Sequence, residues 1–173
     1  MDSNDSKRAE MQWAFDSLSA LAREYCDFID SYDGFDIRGC APFLSRLSHL
    51  LPRLHAAVAV FGDAEADEAF IDETDLERRF ELFSRLRGGL GELDGYWMEF
   101  DVARDGQEKS GSLADDLTDI YWELKIGLNR LQQQVDDEVA TLRSWGAGYR
   151  LNWGQHLVDA ERHLYALRAR SVV

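Results

Sequence analysis

Residues 112–131, SLADDLTDIYWELKIGLNRL, predict an amphipathic helix around which the rest of the chain can be arranged. Ser112 followed by Asp115 has the spacing of a capping box, in which each side chain binds a backbone N–H group of the first turn, so the helix is expected to begin here. The apolar residues of this stretch recur every three or four positions, share one face of the helix and should therefore belong to the core. They are Leu113, Leu117, Ile120, Tyr121, Leu124, Leu128 and Leu131.

Gly127 lies inside this predicted helix, at the edge of the apolar face. A glycine in a helix interior destabilises the helix by about 1 kcal/mol relative to alanine. We therefore expect a compensating feature at Gly127, either the close approach of another helix or a local bend.

The composition is that of a folded and acidic protein. A chain of 173 residues with 45% hydrophobic and 12% aromatic residues can form one domain with a substantial core. Its net charge of −14 repels nucleic-acid phosphates and anionic membranes. Direct nucleic-acid binding is therefore disfavoured, whereas association with a basic protein is favoured.

The chain has no predicted targeting or membrane segment. Its first residues, MDSNDSKRAEMQW, lack the apolar stretch of a signal peptide, and no apolar run approaches the roughly 20 residues of a membrane span. A cytoplasmic location is expected. Cys26 and Cys40 lack the spacing of a zinc motif, so two reduced thiols are the default, and one disulfide between them is left open by the sequence.

Four further helical regions accompany the helix at residues 112–131. The first covers residues 7–32, and the second begins near Pro42 and continues to Phe61, with a kink or break expected at Pro52. The third begins at Thr74, three residues before Glu77, and ends at the glycines of residues 88–91. The last covers residues 136–168 and is loosened near Gly146 and Gly148.

The connections between these helices complete the predicted architecture. An acidic connector covers residues 62–73, and a loop that contains aromatic residues covers residues 92–111. No segment alternates between apolar and polar residues as a half-buried strand does. We therefore predict an all-α fold, in which residues 1–173 form a single-domain, irregular bundle of about five helices with no sheet.

Three segments together resemble a bacterial family, the domain of unknown function 5063. They are GYWMEFD in the aromatic loop, GSLADDLTDIYWELKIGL at the acidic helix and LNWGQHLVDAERHLYAL near the end of the chain. The residues that match the family pattern are Tyr96, Trp97, Phe100, Asp101, Asp115, Asp116, Asp119, Tyr121, Trp153, His156, Asp159 and Ala160. Val102 departs from it, since the family pattern has a proline there. The resemblance implies an all-helical fold and supplies no activity.

Acidic residues on one flank of the predicted helix form a candidate polar site. Asp116, Asp119 and Glu123 resemble the carboxylate row with which all-helical nucleotide pyrophosphatases hold Mg²⁺ or Mn²⁺. Such enzymes need a second helix that directs acidic residues to the same metal ion. The best candidates here are Glu77 and Glu81, one turn apart, but they do not form the expected motif. The simpler interpretation is a solvated flank with one aspartate bonded to a neighbouring helix.

Residues of the last helix extend this candidate polar site. His156 and His163 share a helical face, and His156 can reach the acidic flank if the last two helices pack antiparallel. A structural hydrogen bond between His156 and a carboxylate is the simpler expectation. The predicted site therefore comprises Asp116, Asp119, Glu123, His156 and Asp159. No motif for nucleophilic catalysis is present, so no catalytic residue is assigned.

Aromatic and apolar residues off the core face form a candidate interface. Trp122 and Ile126 point away from the apolar face of their helix, while the loop carries three aromatic residues. Another helix of the bundle can cover them, and so can a second molecule, for example in a symmetric dimer. The candidate interface residues are Tyr96, Trp97, Phe100, Trp122 and Ile126.

The sequence therefore favours an interaction or regulatory module, dimeric or bound to a protein partner, with no cofactor. The alternative is a metal-dependent hydrolase of a phosphorylated small molecule that uses the carboxylate row with Mg²⁺ or Mn²⁺. A third hypothesis is an acidic mimic of nucleic acid, or an immunity protein, that binds a basic partner.

Overall fold

The computed structural model of the chain describes residues 3–34, 40–60, 75–98 and 109–170. The acidic connector at residues 62–73 and three loop residues discussed above, Phe100, Asp101 and Val102, lie outside these ranges.

Helices dominate the described part of the chain. They are α1 (Ser3–Asp30), α2 (Cys40–Ala59), α3 (Leu76–Leu90), α4 (Leu113–Gln132), α5 (Glu138–Gly148) and α6 (Gly154–Ala169). A π-helical turn, Tyr149–Trp153, joins α5 to α6, so the last helical region is continuous and loosened close to the predicted glycines. The all-α class and the bundle of about five helical regions are confirmed.

One detail of the predicted fold is wrong, because the structure contains a small sheet. Strands β1 (Gly95–Met98) and β2 (Lys109–Ser112) pair antiparallel, with Gly95 opposite Ser112 and Trp97 opposite Ser110. Each strand has only four residues and no alternation of apolar and polar side chains, so neither gives a period-two signal. A Cβ atom at Gly111 would lie 2.2 Å from Cζ of Tyr96, so this hairpin requires a glycine opposite Tyr96.

Helix α4 lies at the centre of the bundle and packs against α1, α3, α5 and α6. Leu113, Leu117, Ile120 and Leu124 of its predicted core face are fully buried. A Cβ atom at Gly127 would lie 2.4 Å from Nε1 of Trp145, a fully buried residue of α5. The close approach expected at Gly127 is confirmed.

Helices α2 and α3 also contribute to the core. Helix α2 continues through Pro52, so of the kink or break expected there, the break does not occur. On α3, Leu82, Leu86 and Leu90 face the core, whereas Leu76 and Phe80, which follow the same spacing of three or four residues, are exposed. Helix α3 packs mainly against α4, so it needs only a narrow apolar face.

Both cysteines are free thiols in the core, and neither contacts the other. The Sγ atom of Cys26 lies 3.9 Å from the carbonyl oxygen of Tyr121, and that of Cys40 lies 3.6 Å from the carbonyl oxygen of Gly89. Burial raises the pKa of Cys26 to about 12, which makes its thiolate inaccessible at neutral pH. None of the described helices has the length and apolar character needed to span a bilayer.

Candidate functional site

The first turn of α4 is fixed by two capping residues. The hydroxyl of Ser112 accepts a hydrogen bond from the backbone N–H of Asp115 at 3.2 Å, as the capping spacing predicted. Asp94 adds a second cap: its carboxylate accepts from the backbone N–H of Ala114 at 2.7 Å, and its carbonyl oxygen accepts from that of Leu113 at 2.9 Å. The Ser112 hydroxyl also donates to the Asp94 carboxylate, so the start of the hairpin is tied to the start of α4.

His156 of α6 binds two buried aspartates that lie one turn apart on α4. Its Nδ1 atom lies 2.9 Å from Oδ1 of Asp116, and its Nε2 atom lies 2.9 Å from Oδ2 of Asp119. The two aspartates are only 4% and 7% exposed. These two hydrogen bonds raise the pKa of His156 to about 10, so the ring is an imidazolium at neutral pH.

Tyr96 and Arg79 donate to the remaining oxygens of the same two aspartates. The Tyr96 hydroxyl of β1 donates to Oδ2 of Asp116, and the Arg79 guanidinium of α3 donates to Oδ1 of Asp119. Burial raises the pKa of Asp116, while the hydrogen bonds from His156 and Tyr96 oppose that rise. Burial and the bond to Asp116 also raise the pKa of Tyr96, so its hydroxyl stays a neutral donor. We call Arg79, Tyr96, Asp116, Asp119 and His156 the carboxylate–histidine cluster.

Two of the sequence-predicted polar residues have other partners. Glu123 accepts a hydrogen bond from the side-chain amide of Asn152 at 3.2 Å, at the π-helical turn. Asp159 is buried and accepts from the Gln155 amide at 2.8 Å, and its charge acts on both Tyr96 and Asp116. The structure therefore does not group Asp116, Asp119 and Glu123 as a metal-binding row.

A different set of side chains comes close enough to hold one metal ion. Ligand atoms of Asp115, Asp119 and His156 all lie within 4.8 Å of one another. Partial burial and the charge of Asp119 raise the pKa of Asp115. Asp115 is the exposed member of these three residues. His156, however, uses both ring nitrogens in hydrogen bonds to aspartates, so a metal ion would have to displace a proton and one of those bonds.

The hairpin is held on the bundle by contacts on both of its aromatic residues. The Tyr96 ring stacks on the buried ring of His163, with centroids 4.7 Å apart, and Nε2 of His163 lies 2.7 Å from the carbonyl oxygen of Leu93. Arg162 donates to the carbonyl oxygen of Trp97 at 3.2 Å. The Trp97 side chain itself is 74% exposed. An indole is thus presented to solvent on a backbone that is fixed beneath it.

Trp122 and Ile126, the other predicted interface residues in the described ranges, are half-buried. The Trp122 ring packs against the hydrophobic core and meets Tyr121 edge-on, with centroids 5.3 Å apart. Intramolecular contacts therefore cover most of the Trp122 side chain. Of the predicted interface residues, Trp97 is the one that the described structure leaves widely exposed.

Sequence reasoning missed three residues that build this site. Asp94 lies 18 residues before Ser112, the N-cap residue of α4, and Arg79 and Arg162 reach their partners from other helices. None of these contacts joins residues that are close in sequence. The one available signal was chemical: buried aspartates require donors, and arginines of adjacent helices are the obvious source.

The fold and the site define a class of protein: an all-helical domain in which a short aromatic hairpin is locked onto a carboxylate–histidine cluster. The chain belongs to the family described as Domain of unknown function (DUF5063), whose model matches residues 10–170. It is also similar to the crystal structure of protein BF1032 from Bacteroides fragilis, with 23% identity and a TM-score of 0.68. That match covers 87% of this chain and 89% of the other, and it supports the fold alone. No curated protein matches the sequence significantly.

Proposed function

We propose that this protein is a cytoplasmic interaction module that binds a protein partner through Trp97 and the surface around it. The observation that supports the proposal most strongly is the 74% exposure of an indole whose backbone is fixed to the bundle. Exposed tryptophans are enriched among the residues that dominate binding energy at interfaces. A fixed backbone lowers the entropy lost on binding.

The carboxylate–histidine cluster has a supporting role in this proposal. It positions Tyr96, the neighbour of Trp97, because the Tyr96 hydroxyl is bound by Asp116 and Asp116 is bound by His156. The two buried aspartates each receive two donors, as a stable buried network requires. The cluster therefore acts as a rigid platform under the hairpin.

The chemistry of the partner follows from charge. A net charge of −14 accelerates and strengthens association with a basic protein surface. An acidic mimic of nucleic acid, or an immunity protein, is a special case of this proposal. For such a partner, nucleic acid would compete with the protein for the same basic surface.

The proposal is tested by comparing Trp97→Ala with Tyr165→Ala, a second aromatic residue of similar exposure at 75%. Tagged wild type and both variants are used to isolate partners from cells that contain the protein naturally, and each recovered protein is then purified. We expect a partner whose affinity falls by about tenfold or more with Trp97→Ala and is unchanged with Tyr165→Ala. Equal affinity for all three chains would contradict the proposal.

A second candidate function, a metal-dependent hydrolase of a phosphorylated small molecule, is favoured by one observation. Asp115, Asp119 and His156 offer ligand atoms within the span of one ion, although Mg²⁺ prefers oxygen ligands and a site with histidine suits Mn²⁺ better. The raised pKa of His156 opposes this function, because the imidazolium must lose its proton before it can bind a metal.

Calorimetric titration with Mn²⁺ at pH 7 and at pH 9 separates this candidate from the first. A metal site predicts binding that strengthens at the higher pH, as protons leave His156, and weakens in Asp115→Asn. The absence of both a binding heat and a thermal shift would leave the hydrolase without its cofactor. Titration with Mg²⁺ under the same conditions completes the comparison.

A further inference from the structure

We propose that the groove between α1 and α2 is an interface with a second copy of this chain, into which Trp13 of the second copy docks. The groove has a cavity volume of about 470 Å³. Small side chains, including Ala20, Ala56 and Ala57, line it, while Trp13 and Val60 lie at its rim. This surface is separate from the Trp97 hairpin, and the inference does not depend on the function proposed above.

The rim of the groove exposes large apolar side chains. Trp13 is 71% exposed and Val60 is 70% exposed. Residues 9–13 of α1 are all exposed, and burial of the helix begins at Ala14 and Phe15. Gln12 of this turn donates a hydrogen bond to Glu138 of α5 at 2.9 Å, whereas Trp13 borders the groove. The described residues leave most of the Trp13 indole, a side chain that can bury about 150–250 Å² of surface, exposed to solvent.

The shape of this surface fits a symmetric dimer. In a two-fold interface the same patch meets itself, so it must contain both a projecting group and a recess that accepts it. Trp13 is the projecting group and the adjoining groove is the recess. A two-fold rotation therefore lets each copy insert its indole between the small residues of the other.

The charge of the groove supports a second copy as the occupant. Two chains of net charge −14 repel each other over most of their surfaces. The charged residues that line the groove are Glu24 and Arg53, which form an ion pair with an N–O distance of 3.1 Å. Among the described residues the lining of the groove is therefore neutral, so two copies should repel each other less here than at acidic parts of the surface.

The test is the molar mass of the full-length protein in solution over a concentration series, measured by sedimentation equilibrium. We expect a reversible dimer for the wild type and an increase of about tenfold or more in the dissociation constant for Trp13→Ala. Trp97→Ala, which removes an indole of the same exposure elsewhere, should leave the dimer intact. A wild type that is monomeric throughout, or a dimer that Trp13→Ala leaves unchanged, overturns the proposal.

A second pair of variants tests the groove without removing Trp13. Ala56→Glu places a charge in the groove, and Ala59→Glu places the same charge on an exposed position of α2 that does not line it. Both positions are exposed, so both variants should fold. The proposal predicts that Ala56→Glu dissociates the dimer and Ala59→Glu does not. Equal effects of the two charges would contradict docking in the groove.

Discussion

Two tryptophans of this protein are exposed to nearly the same extent, yet they lie in opposite chemical surroundings. Trp97 is 74% exposed on a hairpin that is fixed by a hydroxyl, a guanidinium and a stacked imidazole over buried aspartates. Trp13 is 71% exposed on the rim of an apolar groove whose lining charges are paired with each other. We therefore propose a different partner for each of these two indoles.

The difference lies in what holds each indole and in what each surface attracts. Polar contacts position the Trp97 hairpin, and the chain as a whole carries a net charge of −14, which suits a basic protein of different sequence. Trp13 lies on a long helix beside a neutral recess, which suits a copy of itself.

Of the variants at the Trp97 side of the molecule, His156→Gln should lower the free energy of unfolding most. Removing one partner of a buried ion pair costs about 3 kcal/mol, and here two aspartates lose their shared donor. The pKa of His156 is about 10 in the folded state and about 6.5 in the unfolded state. The imidazolium therefore stabilises the fold fully below about pH 6.5, and this contribution is lost as the pH rises through about 10.

Denaturant unfolding of wild type and His156→Gln at several pH values measures this effect. The difference in free energy of unfolding should be largest at about pH 6.5 and below, and it should shrink as the pH rises towards 10. The matched control is His49→Gln, at an exposed position of α2, with an expected change within about 0.5 kcal/mol. A difference that stays constant with pH would mean that folding does not raise the pKa of His156.

Tyr96→Phe should loosen the hairpin at a smaller cost in stability. It removes the hydroxyl that donates to the buried Asp116, and a lost hydrogen bond to a charged group costs about 1.5–3 kcal/mol. Hydrogen exchange at the amides of β1 should accelerate more than exchange at the amides of α2. Tyr165→Phe, at a residue that is 75% exposed, is the control and should alter neither.

The two exposed tryptophans should be nearly neutral for folding. Trp13→Ala and Trp97→Ala should each change the free energy of unfolding by less than about 0.5 kcal/mol when measured on the monomer, since neither indole fills the core. Thermal unfolding at low protein concentration checks this. A large loss for Trp97→Ala would indicate that the indole is a structural anchor of the hairpin and would weaken the case for recognition.

Salt should distinguish the two associations, and this is the smallest expected effect. Attraction between an acidic chain and a basic partner is screened by added salt, so the affinity of the Trp97 surface should fall as salt rises. Apolar docking at the groove should change little over the same range. Dissociation constants measured at low and moderate salt report both. Equal salt dependence would remove the electrostatic part of the distinction.

The part of the fold that the sequence predicts well is the part governed by local periodicity. The cap at Ser112, the core face of α4 and the close approach at Gly127 all follow from residues within a few turns of each other. The exposed Leu76 and Phe80 of α3 were not predictable, because periodicity shows which residues share a face and not whether a second helix covers it. The two short strands carry too few residues for a pattern to develop.

The candidate site was predictable only in its acidic half and in His156. Asp116, Asp119 and His156 could be expected to meet, because helical spacing placed the aspartates on one flank and an antiparallel packing of α4 and α6 brings the histidine to it. The residues that join the site from distant positions in the chain are Asp94, Arg79 and Arg162. Glu123 instead accepts a hydrogen bond from Asn152. Tertiary packing decides these contacts, and no spacing within one helix encodes them.

The most direct test of this account places a photoreactive amino acid at position 97 in one sample and at position 13 in another, followed by irradiation in the native cells and mass analysis of the adducts. We expect position 97 to be linked to a protein of different sequence and position 13 to be linked to a second copy of this chain. Adducts to the same molecule from both positions, or an adduct at position 97 that consists only of this chain, would contradict it.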